Sequence, residues 1–298
     1  MVTVLATLAL IFAGGLVTST ESGLSVPDWP LSYGQLMPPM VGGVRYEHGH
    51  RMVATAVGIL TIVLAVWLSR REPRRWVRRL GWLALGAVVA QGVLGGLTVL
   101  LLLPTGVSVA HACLAQTFFC LLVTIAVVTS PRWERGRDTE PVTRLAAFTA
   151  SAVFLQLLLG AVLRHTKAGL AIPDFPLSLG RVIPPLDSFP VAIAFAHRAW
   201  GIVVAVLVLV TAASAFRTRR AGLTRAALAL ALIVVAQVAL GAVTVLSRKN
   251  VAVTTAHVAT GALLLGTVVA VAVGSLSRRR FVAVPSPGAG AKLLAWKA

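Results

Sequence analysis

Charged residues are scarce in this 298-residue chain, and acidic residues are the scarcest of them. Asp, Glu, Lys and Arg together make up 12% of the sequence, whereas 57% of it is hydrophobic and the mean hydropathy is +0.88. Water-soluble domains typically carry about 25% charged residues. The shortage of charge therefore excludes an ordinary soluble domain and indicates a membrane protein.

Cysteine is nearly absent as well. The two cysteines, Cys113 and Cys120, lie seven positions apart inside one apolar run. In a helix this spacing puts them on one face but two turns apart, which is too far for a disulfide bond. The sequence therefore predicts no disulfide framework and no Cys-x-x-Cys metal site, and we interpret both as small core residues.

The chain has 27 Lys and Arg against 9 Asp and Glu, a net charge of +18 that by itself would suit nucleic-acid binding. The basic residues are not spread over a surface, however. They cluster between long apolar runs, in four patches: Arg70 to Arg79, Arg132 to Arg144, Arg217 to Arg225 and Arg278 to Arg280. The alternating loops are poor in Lys and Arg. This is the positive-inside pattern, which predicts that the patches face the cytoplasm and disfavours nucleic acid as a partner.

Eight apolar runs are each near the ~20 residues that a helix needs to cross the hydrocarbon core. They cover about residues 2–19, 49–68, 80–103, 108–129, 145–164, 191–214, 226–246 and 251–274. No Lys or Arg precedes the first run, unlike in a signal peptide. The pattern predicts eight transmembrane helices, both termini in the cytoplasm, and long outer loops at 20–48 and 165–190.

An internal repeat divides the chain. The segment SGLSVPDWPL (22–31) returns as AGLAIPDFPL (168–177), an offset of 146 residues. The same offset pairs Gly34 with Gly180, Gln91 with Gln237, Gly95 with Gly241, Thr98 with Thr244 and His111 with His257, and an offset of 147 pairs His50-Arg51 with His197-Arg198. The repeat predicts an all-α membrane protein of two tandem, pseudo-symmetric four-helix bundles in one orientation. The expected units are an N-terminal half (1–144), a C-terminal half (145–280) and a flexible cytoplasmic tail (281–298).

Four of the six histidines belong to the repeat. In each half they fall at nearly the same depth, near the outer ends of the second and fourth helices. Facing histidines in a helical bundle can hold a planar metal cofactor, and haem needs two axial ligands, whereas zinc usually takes three or four. The sequence predicts that His50 and His111 bind one haem iron, and that His197 and His257 bind another. A purely structural role suits one buried histidine better than a duplicated pair.

The residues beside these histidines leave alternatives open. Arg51 and Arg198 are either interfacial anchors at a helix end or partners for haem propionates. His48 and His165 have no histidine at the matched position. They are placed at the loop edge, with a position at the mouth of a haem site as the alternative.

The repeat is broken at Glu47, whose counterpart is Ala194. Glu47 is almost one helical turn before His50, and an acidic residue at membrane depth marks function by default. The alternative is that Glu47 lies in the aqueous loop, paired with Arg45 or Arg51. Asp28 and its counterpart Asp174 are present in both halves, and we expect them to shape the outer loops.

Over about residues 1–275 the chain resembles the haem A synthase family. The resemblance is carried by the two outer-loop segments, by Glu47-His48-Gly49-His50-Arg51, by the helices that contain QGVLGG and QVALG, and by His111 and His257. It implies oxidation of the C8 methyl group of haem O to the formyl group of haem A, by successive hydroxylations, for terminal oxidases. It further implies haem O between His50 and His111 beside Arg51, Glu47 as the catalytic residue, and haem b between His197 and His257 beside Arg198.

The resemblance also implies a multi-pass protein of the cell (inner, cytoplasmic) membrane with haem sites near the outer face. The partners it suggests are haem O, membrane lipid, haem O synthase (protohaem farnesyltransferase) and further copies of the chain. Many bacterial members of the family carry a cysteine pair in the first outer loop. Residues 20–48 contain none, so the electron route is unassigned. The main rival interpretation is a non-catalytic dihaem cytochrome b; a transporter is less favoured because the polar residues crowd the outer end.

Overall fold

The computed structural model describes residues 1–134 and 140–276. Its long helices are α1 (Val2–Ser19), α2 (Val44–Arg71), α3 (Arg75–Leu100), α4 (Thr105–Val128), α5 (Glu140–His165), α6 (Phe189–Arg217), α7 (Ala221–Leu246) and α8 (Val251–Ser275). A single helical turn, Pro131–Glu134, follows α4, and a 3-10 turn, Ala168–Leu170, follows α5. No strand forms in the described ranges, and all eight long helices are long and apolar enough to cross a membrane. The expected all-helical class is confirmed, and the eight expected spans correspond to eight helices of sufficient length and apolar character.

The helices extend beyond the predicted apolar runs, and one extension changes the reading of the site. The second span was expected to begin near residue 49, but α2 begins at Val44. Backbone hydrogen bonds continue the helix through polar residues, and an acidic residue is favoured in the first turn by the helix dipole. Placing Glu47 in an aqueous loop is therefore wrong, as is placing His48 at a loop edge, since both are buried in α2.

The loops are correspondingly shorter, spanning 20–43 and 166–188 rather than 20–48 and 165–190. They share one end of the bundle, the long-loop end, with the connections α3–α4 and α7–α8. The opposite end, the arginine end, carries the α2–α3, α4–α5 and α6–α7 connections. The predicted tail, 281–298, lies outside the described residues. Cys113 and Cys120 are both free and are only partly buried, so neither is a fully buried core residue.

Four helices, α1, α4, α5 and α8, form the centre of the molecule. Helices consecutive in sequence pack together within α1–α4 and within α5–α8, and α8 also packs against α1, α4 and α5. The peripheral helices α2, α3, α6 and α7 present large apolar side chains outward; Leu232 of α7, for example, is 73% exposed. Such exposed apolar faces are stable in lipid, where a helix satisfies its own backbone groups.

Each long loop contains the same small hairpin. Backbone hydrogen bonds join Ser32 to Gln35 and Ser178 to Arg181, and the peptide bonds Trp29–Pro30 and Phe175–Pro176 are cis. The two residues at each tip have positive φ; in the first loop they are Tyr33 (54°) and Gly34 (69°). Two such residues match the type I′ turn, which closes hairpins tightly and favours glycine.

Candidate functional site

The four matched histidines all lie near the long-loop end. His50, His111 and His257 are each the seventh residue of their helices α2, α4 and α8, and His197 is the ninth residue of α6. Because the four helices start at the same end of the bundle, the imidazoles lie at similar depth.

Each of these imidazoles rests against a glycine on a neighbouring helix. A Cβ atom added to Gly14, Gly160 or Gly241 would lie 3.0 Å from the Cε1 atom of the facing histidine, and one added to Gly95 would lie 3.1 Å away. These distances are shorter than ordinary carbon–carbon contacts. The facing pairs are Gly14 with His50, Gly95 with His111, Gly160 with His197, and Gly241 with His257. A glycine at these positions is what lets the Cε1 edge of the ring come so close to the helix backbone.

The histidines interact as two pairs. The imidazole of His50 is within electrostatic range of that of His111, and the imidazole of His197 is within range of that of His257. Among residues 1–134 and 140–276, no three His, Cys, Asp or Glu side chains gather into a metal site. Each pair can thus supply two imidazoles, which matches the two axial ligands of a haem.

The hydrogen-bonding state of the rings also fits haem ligation. The Nδ1 atoms of all four histidines are buried, and none has a hydrogen-bond partner in the described structure. Beside each ring lies the backbone carbonyl group one turn before its glycine, contributed by Leu10, Gln91, Gln156 or Gln237. Metal-bound histidines commonly direct their second ring nitrogen at such a carbonyl group. The other ring nitrogen, Nε2, lies 3.4 Å from the Gln91 amide nitrogen in His111 and 3.4 Å from the Gln156 amide nitrogen in His197.

Two glutamines hold the backbone of a facing histidine. Gln91 Nε2 donates to the His111 carbonyl oxygen over 3.0 Å, and Gln156 Nε2 donates to that of His197 over 2.9 Å. Gln156 was not singled out from the sequence. The signal was present, because Gln156 stands four residues before Gly160 just as Gln91 stands four before Gly95. Of the other two histidines, His257 has Gln237 at the corresponding position, and His50 has Leu10, which has no polar side chain.

Glu47 is 4% exposed, and both of its carboxylate oxygens are engaged. Oε1 accepts from Arg51 Nη2 over 2.7 Å, and Oε2 accepts from the Val26 backbone N–H over 2.8 Å. The pairing with Arg51 is one of the two partners considered from the sequence. The burial excludes the alternative that Glu47 lies in the aqueous loop. An ion pair that is buried in this way is held in one geometry, and removing either partner leaves an uncompensated charge.

The matched position in α6 is built without an acid. Ala194 takes the place of Glu47, and Arg198 Nη2 donates directly to the Ile172 carbonyl oxygen over 2.7 Å. Ile172 is the counterpart of Val26. In α1–α4 the Glu47 carboxylate thus lies between the arginine and the loop backbone. In α5–α8 the arginine and the loop backbone contact each other directly.

Arg51 and Arg198 both bind the long loops. Arg51 Nη1 donates to the carbonyl oxygens of Asp28 and Leu31, and Arg198 Nη1 donates to those of Asp174 and Leu177. Each arginine therefore fixes its loop over the end of its own helix. This is a contact that neither alternative drawn from the sequence anticipated.

The two unmatched histidines occupy different settings. His48 is 6% exposed; its Nδ1 atom shares a hydrogen bond of 2.8 Å with Ser32 Oγ, and its Nε2 atom is buried with no partner in the described structure. His165 is the last residue of α5 and interacts electrostatically with His111. It therefore lies near the first pair, although it belongs to the second half of the chain.

The first long loop covers the helix that carries Gly95. A Cβ atom on the next residue, Gly96, would lie 2.6 Å from the ring of Trp29, so the indole rests directly on the backbone of α3. The matched residues are Ala242 and Phe175. The loop tryptophan is thus brought beside the turn of α3 that faces His111.

Comparison with known proteins identifies the family. A family model described as "Cytochrome oxidase assembly protein" matches residues 1–42 and 44–269. A protein of Symbiobacterium thermophilum named "Heme A synthase" is 38% identical over 257 residues, which cover 80% of this chain and 81% of that protein. Proteins with the same name from Halalkalibacterium halodurans (32% identical; 67% and 70% covered) and Caulobacter vibrioides (31%; 80% and 84%) are also similar. The resemblance recognised in the sequence is confirmed, and the chain belongs to the cytochrome oxidase assembly protein family that these matches define.

Proposed function

We propose that this protein is a haem A synthase, an oxidoreductase that converts the C8 methyl group of haem O into the formyl group of haem A. Relatives covering most of the chain carry that name. The observation that carries the assignment is Glu47, a buried carboxylate three residues before His50 with no counterpart beside His197. Two electron-transfer haems in equivalent surroundings would not need one acid.

We infer that the chain consists of two tandem pseudo-symmetric four-helix halves. The support is the match between the pairs Gly14–His50 and Gly160–His197, and between Gly95–His111 and Gly241–His257. The two loop hairpins, each closed at a residue pair with positive φ, agree with this inference. We assign residues 1–144 to the half that binds substrate and residues 145–280 to the half that binds the cofactor.

In this proposal the haem O substrate is bound by His50 and His111, and a haem b cofactor is bound by His197 and His257. Haem b supplies reversible one-electron transfer when it is bound. The long-loop end is assigned to the outer face of the cell membrane, because the arginine end carries most of the basic loops. The electron pairs released by the oxidation would need an external one-electron acceptor.

Glu47 is the residue that distinguishes the reacting half. Each hydroxylation adds a water oxygen to the methyl carbon and releases an electron pair and two protons, and the geminal diol then loses water to give the formyl group. A carboxylate in this position can stabilise positive charge that develops at the carbon or orient the attacking water. Its contacts with Val26 and Arg51 hold it in a single orientation for either role.

The test is to express the protein with a supply of haem O, extract the bound haems and separate them by chromatography. We expect haem A from the wild-type chain. Glu47→Ala, which installs the residue found at the matched position, should lower the yield of haem A by about 100-fold or more. It should leave the haem b absorbance intact, because that haem is assigned to the other half.

Glu21→Gln is the matched control, since Glu21 is an exposed acid at the same end of the bundle. Haem A formation by Glu47→Ala at the wild-type level would exclude a catalytic role for Glu47. Loss of both haem A and haem b would indicate that Glu47 is structural. Recovery of haem b alone from the wild-type protein supplied with haem O would favour the alternative, a non-catalytic dihaem cytochrome b.

A further inference from the structure

Arg164 is a cation inside the bundle that the roles assigned so far do not use. It is the penultimate residue of α5, at the long-loop end, and its counterpart in the first half is Thr18. Thr18 satisfies its hydroxyl on its own helix by donating to the Gly14 carbonyl oxygen. The second half therefore has a positive charge at a position where the first half has none.

The guanidinium group of Arg164 lies where three central helices meet. Nη2 donates to the Gly15 carbonyl oxygen over 2.7 Å and to Ser19 Oγ over 2.8 Å, both on α1. Ser19 Oγ also accepts a hydrogen bond of 3.0 Å from Thr255 Oγ1 on α8, two residues before His257. Arg164 and His257 are near enough to interact electrostatically. The cation is thus anchored beside the second histidine pair.

No carboxylate neutralises this cation in the described part of the chain. The described ion pairs are Arg51 with Glu47 and Arg74 with Glu72, and Arg164 is in neither. Both of its hydrogen bonds use Nη2 and end on neutral acceptors, although a guanidinium group has five N–H donors in a planar fork. A charge removed from water is costly unless an opposite charge meets it. The arrangement calls for an anion, and the geometry of the fork suits a carboxylate.

We propose that Arg164 binds a propionate group of the haem held by His197 and His257. This rests on the proposed function, which places haem b there. From the sequence, Arg198 was the candidate partner for the propionates of this haem, but both of its terminal nitrogens donate to loop carbonyl groups. In Arg164, by contrast, Nε and Nη1 have no acceptor in the described structure. Arg164 of α5 and Thr255 of α8 both bond to Ser19 of α1. Ser19 therefore connects the second haem site to α1, the helix against which His50 packs.

Arg164→Gln should weaken the second haem site in two measurable ways. The ratio of haem b to protein should fall, since loss of a charge-assisted hydrogen bond lowers affinity by about tenfold. The midpoint potential of the remaining haem b should also fall, because an uncompensated propionate destabilises the reduced, more negative state. The haem-to-protein ratio is measured by absorbance and the midpoint potential by redox titration, on the full-length purified protein produced without haem O. The signal of the second site is identified as the one that is lost in His197→Ala.

Two further variants separate charge from packing. Arg164→Lys keeps the charge and should hold the midpoint potential near the wild-type value. Arg248→Gln removes an exposed cation from the α7–α8 loop at the same end and should change neither quantity. The proposal is overturned if Arg164→Gln binds haem b with wild-type affinity and potential, or if Arg248→Gln has an equal effect. It is also overturned if Arg164→Lys is as defective as Arg164→Gln, which would show that only the contacts with α1 matter. A haem signal that survives His197→Ala would instead refute the proposed site itself.

Discussion

At the scale of single residues, the orientation of each candidate haem ligand depends on the residue that its ring packs against. A histidine in a helix can reach a haem only if its ring is held in one orientation, and here a glycine on the next helix receives each ring. The repeat marked Gly95 and Gly241 as small residues that could let a flat haem ring approach the helix, but it did not indicate that a histidine ring packs against each of them. Gly14 and Gly160 also stand at the repeat offset, but this spacing alone did not indicate which histidine each of them would contact.

We expect Gly241→Ala to lower the haem b content of the purified protein. The new Cβ atom would lie 3.0 Å from His257 Cε1, so the ring must move, and such overpacking typically costs about 1–3 kcal/mol. Gly222→Ala on the same helix is the control, because nothing lies within 4 Å of its added Cβ atom. Equal haem content in the two variants, measured against protein concentration, would show that Gly241 does not position His257.

At the scale of elements, each long loop is stabilised by hydrogen bonds between one of its side chains and its own backbone. The Asp28 carboxylate accepts from the N–H groups of Tyr33 and Gly34, and Asp174 accepts from those of Leu179 and Gly180. The expectation that both aspartates shape their loops agrees with these bonds. The Gly34 N–H is the main cause that lowers the pKa of Asp28 below its ordinary value of 3.8, with further help from Tyr33 and Arg51.

This lowered pKa predicts a pH dependence of loop stability. A carboxylate whose pKa is depressed by folding contributes stability above the ordinary value, and the contribution is lost as the pH falls through the folded-state pKa. Amide hydrogen exchange at Tyr33 and Gly34 should therefore be faster in Asp28→Ala than in the wild type at pH 7. The difference should shrink below pH 3.8.

The second loop supplies an internal control for this measurement. Exchange at Leu179 and Gly180 depends on Asp174 and should not change in Asp28→Ala. If the difference at Tyr33 and Gly34 persisted undiminished at low pH, the charge of Asp28 would not be what holds the hairpin.

At the scale of the whole molecule, the distribution of charge should decide orientation. We expect the long-loop end to face outward, since basic loops are retained in the cytoplasm. After replacement of Cys113 and Cys120 by Ser, a single cysteine at Gln35 or at Pro73 reports on opposite ends through exposed loop positions. A membrane-impermeant maleimide added to intact cells should label Gln35→Cys and leave Pro73→Cys unlabelled until the membrane is opened. The reverse pattern would invert the topology and move the proposed haem sites to the cytoplasmic side.

Much of the architecture could be predicted because its signals are local or periodic. Run length and the shortage of charge predicted eight helices, and the repeat offset singled out the matched histidines. The ends of α2 could not be predicted from hydropathy, because a helix continues as long as its backbone hydrogen bonds are satisfied. The alternative that put Glu47 in the loop and the placement of His48 at the loop edge were wrong for this reason.

The sequence by itself determined the membrane class, the family and the matched histidines, since these depend on composition, on spacing and on motifs that lie within short segments. Only the tertiary structure decided that Glu47 lies between Val26 and Arg51, and that Arg164 crosses from α5 to α1. Those contacts join residues about 20 and 150 positions apart in the chain. Which side chains meet over such separations is decided by how whole helices pack, and no local pattern in the sequence records it.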